Sequence, residues 1–200
     1  MTTPKLNPIL SLWLKPRSSV YQLESSSHFL LILGLTLFNF FQLCLFVLSL
    51  DKLTLAPLIS FKGLALTILT FLALGAWTFT IIQAFTMVIW SVAKRMDGQG
   101  TIHRTRAAVI GALFRFVPTI SFFLMIYFTN KIPNAGGVIL SIKVAAYLGM
   151  FATPIYGLVG MVKSVSEAQS FGIWKAIIAI ALSSAILYGA AQVIILIFYP

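Results

Sequence analysis

The sequence predicts an all-α integral membrane protein: a bundle of five transmembrane helices that follows a short interfacial N-terminal segment. Of the 200 residues, 60% are hydrophobic and only 9% are charged, against about 45–50% and about 25% in soluble domains. Five apolar stretches reach about 18 residues or more, the length at which a helix can cross a bilayer. The positive charges fall between these stretches, as is typical of loops that face membrane lipids.

The predicted spans follow one another through the chain after residue 28. Hydrocarbon offers the backbone no hydrogen-bond partners, so each span must be helical. A cleaved signal peptide is the other interpretation of the first run, but its apolar core exceeds the usual ~7–15 residues. The sequence therefore divides into a segment over residues 1–28 and a membrane domain over 29–200. The spans are Phe29–Leu50, Gly63–Ala93, Ala107–Thr129, Val144–Val162 and Ala176–Pro200. The alternative for the fourth span is a start nearer Val138, with Lys143 snorkelling to the interface.

The N-terminal segment contains an apolar cluster with a tryptophan, Ile9 to Leu14, followed by Lys15-Pro16-Arg17. This pattern suits a short segment lying in the membrane interface; a disordered tail is the alternative. Cations are more frequent in cytoplasmic loops than outside. A cytoplasmic N-terminus puts nine Lys and Arg residues inside and four outside, so we expect the N-terminus inside and the C-terminus outside. The inside set is Lys5, Lys15, Arg17, Lys94, Arg95, Arg104, Arg106, Lys163 and Lys175, and the outside set is Lys52, Lys62, Lys131 and Lys143.

The formal charge of +10 would suggest nucleic acid in a soluble protein, but no basic stretch lies on a folded polar module, and no nucleic-acid partner is expected. Anionic lipid head groups are the expected contacts instead. Cys44 is the only cysteine, which excludes an intrachain disulfide and a cysteine-based metal site. The candidate lipid-contacting cations are Lys15, Arg17, Lys94, Arg95, Arg104 and Arg106.

Arg115 interrupts the third predicted span about 12 Å beyond Ala107, at 1.5 Å per residue. A cation at this depth costs about 2.5–3.5 kcal/mol on insertion scales. Arg115 either faces a polar cavity that holds an anion or snorkels to the inner head groups. Small residues share its helix face, so we expect it to face the bundle. Pro118 should kink the helix, and Asp97 or Glu167 could pair with the guanidinium from the cytoplasmic side.

Three amides complete the candidate polar site: Asn39 and Gln42 in the first span and Gln83 in the second. Bonds between helices are the first interpretation, and a substrate path is the second. Two stripes of small residues at four-residue spacing predict close helix contacts, either with each other or with a second protomer. The packing residues are Gly149, Thr153 and Gly157 in the fourth span and Ala181, Ala185 and Gly189 in the fifth.

The segment Asp97-Gly98-Gln99-Gly100 reads as a tight turn in which both glycines permit positive φ. It lacks the full pattern of a nucleotide-binding loop. No catalytic triad, Cys/His pair or paired carboxylates can be assembled from the chain, and only four carboxylates exist in it. The sequence therefore predicts no enzymatic activity, no metal and no cofactor.

Three stretches resemble the Yip family, multi-spanning membrane proteins named for interaction with Ypt/Rab GTPases. They are Pro8 to Arg17, then Ala93 to Thr101 before a span with Pro118, and Gly157 to Glu167 before a last apolar run. The resemblance covers nearly the whole chain and implies five spans and a cytoplasmic N-terminus. GTPase-binding members usually carry a larger cytosolic N-terminal region, so the resemblance is to short prokaryotic inner-membrane members, and no GTPase partner is expected.

Two main hypotheses of function follow. In the first, the protein acts without catalysis by binding membrane proteins, lipids or a second copy of itself, and so organises the bilayer. In the second, it is a channel or permease for a small solute, ion or lipid, with a polar route near Arg115. An enzyme acting on lipids is a third, weaker hypothesis, for which no nucleophile or metal set is visible.

Overall fold

The computed structural model describes residues 20, 21, 23, 28–49, 61–130 and 136–198, and these are almost entirely helical. Five helices follow one another without an intervening strand in these ranges, as predicted. They are α1 (His28–Ser49), α2 (Phe61–Arg95), α3 (Ile102–Asn130), α4 (Gly137–Gln169) and α5 (Ile173–Phe198). Most of the predicted interfacial segment, including Lys15 and Arg17, lies outside the described residues.

Helices α2 to α5 are long and apolar enough to cross a membrane, and in α1 the stretch Leu31–Leu43 is a shorter apolar helix. The chain is thus an all-α membrane protein. Helix α3 is the most buried of the four long helices. In its most apolar 18-residue stretch 39% of the residues are buried, against 6–11% in the other three. The other long helices leave most of their apolar side chains exposed, as a hydrocarbon solvent allows.

The helices extend beyond the predicted spans, since α2 reaches 35 residues and α4 reaches 33. At 1.5 Å per residue, each is about 50 Å long, which exceeds the ~30 Å hydrocarbon core. Charged residues near their ends, such as Lys94, Arg95 and Lys163, therefore lie at or outside the edges of the hydrocarbon core. Helix α3 continues through Pro118 and α4 through Pro154; the predicted kink at Pro118 stays a prediction.

The chain forms two compact units, and α2, α3 and α4 each contribute to both. The first unit comprises Met1–His28, Thr80–Leu113 and Leu158–Pro200; the second comprises Phe29–Phe79 and Phe114–Gly157. The predicted division at residue 28 stays a prediction.

An alanine-rich core holds the first unit together. Small side chains let helix backbones approach closely, so this core is dense without large residues. Its members are fully or almost fully buried: Ile82, Ile89 and Ala93 of α2, Ala107, Ala108, Val109, Ile110 and Ala112 of α3, Val165 and Ala168 of α4, and Ala176 and Ala179 of α5.

The second unit is held by phenylalanines of α3 that fill the space beside glycines. The ring of Phe122 lies against Gly149 and the ring of Phe116 against Gly157, so closely that an added Cβ would meet them at 2.5 Å and 2.8 Å. The ring of Phe114 lies beside Gly34 less tightly, since an added Cβ at Gly34 would lie 3.7 Å from it. Bulky residues at these glycines would push the helices apart.

Candidate functional site

The end of α2 is a helix cap built on the backbone. The carbonyl of Ala93 accepts hydrogen bonds from the Met96 N–H at 3.0 Å and the Gly98 N–H at 2.8 Å. Asp97 between them takes a left-handed conformation with φ of 66°. This is the bond pattern of a Schellman motif, in which one residue past the helix adopts positive φ.

Gly98 and Gly100 permit positive φ, but no described glycine adopts it, and Asp97 takes that conformation in the turn. Asp tolerates the left-handed region better than most residues. The glycines serve close approach instead. A Cβ at Gly100 would overlap the carbonyl oxygen of Ala168, and one at Gly98 would lie 2.7 Å from Gln169 Oε1.

The end of α4 repeats the same capping device. The Phe171 N–H donates to the Ser166 carbonyl at 3.1 Å, and Ser170 has φ of 54°. The Ser166 hydroxyl also donates a hydrogen bond to the Phe171 carbonyl at 2.6 Å. Two capped helix ends therefore meet in the first unit, and their backbones bond directly, since the Gln99 N–H donates to the Gln169 carbonyl at 2.9 Å.

Gln169 joins these two turns through its side chain. It is fully buried, as is Thr105. Its Nε2 donates to the Thr105 hydroxyl at 2.6 Å, and its Oε1 accepts from the Gly100 N–H at 3.2 Å. The Thr105 hydroxyl in turn donates to the Thr101 carbonyl at 2.9 Å. We call residues 96–101, Thr105 and residues 166–171 the loop junction.

Thr101 also caps the start of α3, since its hydroxyl accepts from the Arg104 N–H at 3.2 Å. The loop junction is thus satisfied by its own backbone and side-chain groups, and such fully bonded buried networks are rigid.

Ion pairs and aromatic contacts surround the junction at its exposed edge. Lys175 donates to the Met96 carbonyl at 3.0 Å and lies 3.7 Å from Asp97. Tyr21 donates to Glu167 at 3.1 Å, and the Arg104 guanidinium lies 5.3 Å from the centre of the Tyr21 ring. Exposed pairs of this kind contribute about 0–1 kcal/mol each.

Three buried side-chain polar atoms of the first unit have no hydrogen-bond partner in the described part of the chain: Thr86 Oγ1, which can also accept, and the nitrogens Arg106 Nε and Trp90 Nε1. Arg106 follows the start of α3 by four residues and Trp90 precedes the end of α2 by five, so both lie about one turn or more into their helices. Both groups only donate. An acceptor, and for Arg106 an anionic one, would satisfy them.

The other predicted lipid-contacting cations in the described ranges are accessible. Lys94 and Arg95 are exposed, and Arg104 is half-buried. Counted over Thr80–Leu113 and Leu158–Phe198, the first unit holds six Lys and Arg (94, 95, 104, 106, 163, 175) and two acids (Asp97, Glu167), a balance of +4.

Arg115 is fully buried in the second unit, and Tyr156 of α4 lies near its guanidinium. One turn further along α3, the hydroxyls of Thr119 and Thr153 share a hydrogen bond of 2.9 Å. Arg115 therefore faces α4 on the side of α3 that packs against the glycines. Glu167 and Asp97 belong to the first unit, and their predicted pairing with Arg115 stays a prediction.

The predicted amides have different surroundings. Asn39 donates to the Thr78 hydroxyl across a long bond of 3.5 Å, which joins α1 to α2. Gln83 is half-buried. Gln42 is only 7% exposed, yet neither its nitrogen nor its oxygen has a hydrogen-bond partner in the described ranges.

The two predicted packing stripes differ as well. Gly149, Thr153 and Gly157 of α4 all contact α3, through Phe122, Thr119 and Phe116 respectively. Ala181, Ala185 and Gly189 of α5 are exposed, and an added Cβ at Gly189 would meet nothing within 4 Å. The α4 stripe is thus occupied by α3, whereas the α5 stripe remains on the surface.

Sequence reasoning missed Gln169 and Thr105, the two buried polar residues that join the loops. The available signal was a glutamine directly before a Ser-Phe-Gly turn at the end of a helix. Nothing in the local pattern identifies Thr105 as its partner. Within the described residues, no three His, Cys, Asp or Glu side chains cluster as metal ligands would. No family model, curated protein or solved structure matches the chain.

Proposed function

We propose that this membrane protein acts without catalysis, by binding anionic lipids at the loop end of its first unit and by contacting other membrane proteins or a second copy of itself. The observation that carries the proposal is the pair of buried donors, Arg106 Nε and Trp90 Nε1, which lack acceptors in the described part of the chain. A lipid phosphate supplies strong acceptor oxygens for such groups.

The charge around these donors supports the same ligand. The first unit carries a balance of +4 over its described residues, and each Lys or Arg near an anionic membrane surface contributes about 1 kcal/mol of attraction. The rigid loop junction holds the ends of α2 and α4 and the starts of α3 and α5 in fixed positions, so the site would be organised before lipid arrives.

Contacts with other membrane proteins are supported by the exposed face of α5. Its small residues Ala181, Ala185 and Gly189 lie on the surface, and small residues let a second helix approach closely. The Yip-like motifs support a bilayer-organising role, a prokaryotic inner membrane and a cytoplasmic loop junction, all of which belong to this proposal.

Lipid retention in nanodiscs tests the proposal. We expect native mass spectrometry to detect more phosphatidylglycerol than phosphatidylcholine bound to the wild type, and Arg106→Gln to lose most of that preference. Lys143→Gln is the matched control, because it removes one positive charge near the opposite end of α4. Equal retention of both lipids by the wild type, or equal losses in both variants, would contradict the proposal.

The channel hypothesis has less support. Two pairs of polar groups in this unit bond to one another, Thr119 with Thr153 and Asn39 with Thr78, which is the behaviour of groups that pack helices. A cavity in this unit has six lining residues, and Arg115 is not among them.

A further inference from the structure

A cavity of about 220 Å³ lies between α1 and α3 in the second unit. Three of its lining residues, Phe41, Ser121 and Phe128, are exposed, so the cavity is reached from the outer surface of these helices. That surface faces hydrocarbon in a membrane. The full lining is Phe38, Phe41, Gln42, Ser121, Leu124 and Phe128.

The inner wall of this cavity contains the amide of Gln42. The side chain is 7% exposed, and both its donor and its acceptor lack partners within the described residues. A buried amide without partners is strongly unfavourable, and hydrocarbon supplies none. The site therefore fits a molecule that brings a complementary polar group into an apolar, aromatic pocket.

The depth of the pocket follows from its position along α1 and α3. Gln42 precedes the end of α1 by seven residues, and Leu124 precedes the end of α3 by six, so both lie about 10 Å inside their helix ends. The hydrocarbon core is about 30 Å thick, and the ester groups of phospholipids lie at its boundary. Helix α3 has 29 residues and is about 43 Å long, so its ends extend past that boundary. The pocket therefore lies just inside the hydrocarbon, where a molecule dissolved in the bilayer can reach it.

We propose that this pocket binds the head group of a membrane-dissolved quinone. A flat ring packs against the three phenylalanines in the offset or edge-on arrangements that aromatic groups prefer. A quinone carbonyl accepts from Gln42 Nε2, and the hydroxyl of the quinol form donates to Gln42 Oε1. An apolar cavity of about 150 Å³ already holds benzene, so the volume here accommodates a substituted ring.

Thermal unfolding of the full chain in detergent tests this site with a short-chain benzoquinone as the probe. We expect the probe to raise the unfolding temperature of the wild type, because a ligand that binds the folded state stabilises it. Gln42→Leu should bind the probe about tenfold more weakly, the effect of one lost hydrogen bond. Without probe, Gln42→Leu should unfold at a higher temperature than the wild type, since it removes an unpaired buried amide.

Asn39→Leu is the matched control on the same helix, because its amide bonds to Thr78 outside the pocket. It should retain the affinity for the probe and gain no stability. Gln42→Met provides an unbranched replacement if Gln42→Leu does not fold.

Three results would overturn the inference. Equal probe affinity in the Gln42 variants and the wild type would show that the amide does not recognise the ligand. A lower unfolding temperature of both Gln42 variants without probe would show that the amide has a protein partner. An equal shift on adding phosphatidylcholine instead of the probe would identify the pocket as an ordinary site for lipid chains.

Discussion

Gly100→Ala should destabilise the protein far more than an alanine substitution in a loop ordinarily does. The new Cβ would overlap the Ala168 carbonyl oxygen and lie 2.9 Å from the Ala168 carbonyl carbon. Because the obstructing atoms belong to the backbone of a capped helix end, no side-chain rotation relieves the overlap. The two turns must separate.

The size of the effect follows from what the separation breaks. Overpacking costs about 1–3 kcal/mol. Two hydrogen bonds cross the junction at this point, from Gln99 N–H to the Gln169 carbonyl and from Gly100 N–H to Gln169 Oε1, and each contributes about 0.5–1.5 kcal/mol. We expect Gly100→Ala to lower the free energy of unfolding by about 2–6 kcal/mol.

Reversible unfolding in mixed detergent micelles, followed by circular dichroism, measures this difference. Gly172→Ala is the matched control, because it lies in the same unit, has no positive φ, and its added Cβ would meet nothing within 4 Å. The control should stay within about 0.5 kcal/mol of the wild type. If Gly100→Ala were as stable as Gly172→Ala, the close contact between the two turns would be refuted.

Four further substitutions test other parts of the structure in the same assay. Gln169→Leu should cost about 2–4 kcal/mol, because it leaves the Gly100 N–H and the buried Thr105 hydroxyl without their present partner; a loss below 1 kcal/mol would contradict the network. Ser170→Gly should stabilise the protein by about 0.5–1 kcal/mol, because glycine adopts positive φ without strain; a destabilised variant would place the strain elsewhere. Gly157→Leu should destabilise the monomer by about 1–3 kcal/mol through its contact with Phe116, whereas Gly189→Leu should leave monomer stability unchanged; equal effects would argue against the packing of α4 on α3.

The helices could be predicted from the sequence because one physical requirement dominates them. An apolar run in hydrocarbon must satisfy its own backbone, so residues such as those in Gly63–Ala93 determine a helix without reference to distant partners. The ends were less predictable. Helix α4 begins at Gly137, before Lys143, because a long cationic side chain can reach the interface while its backbone continues the helix.

The loop junction could not be derived in the same way. The Gly98-Gln99-Gly100 sequence indicates a turn. From the sequence alone, each glycine could serve either to let another backbone pack closely or to adopt a positive φ. Only the bonds to Ala93 and to Gln169 decide that Asp97 takes the left-handed position. The Gln169 side chain joins residues 64 and 69 positions away, and no local periodicity encodes a contact of that range.

Arg115 illustrates what sequence can and cannot provide. The small residues on its helix face indicated that it faces the bundle, and its side chain is fully buried. Its position near Tyr156 depends on the register between α3 and α4, which Phe116, Phe122 and the glycines opposite them set. Tyr156 carried no signal of its own, since tyrosines are common near membrane interfaces.

Cysteine accessibility in intact cells tests the membrane topology most directly. The natural cysteine, Cys44, is first replaced by alanine, and single cysteines are then placed at Asp97, Gly136 and Gly172 and treated with a membrane-impermeant thiol reagent. Because α3 and α4 each cross the bilayer once, the cysteines at 97 and 172 should react only after the membrane is opened, and the cysteine at 136 should react in intact cells. Labelling of all three positions from the same side would contradict a bundle whose helices span the membrane.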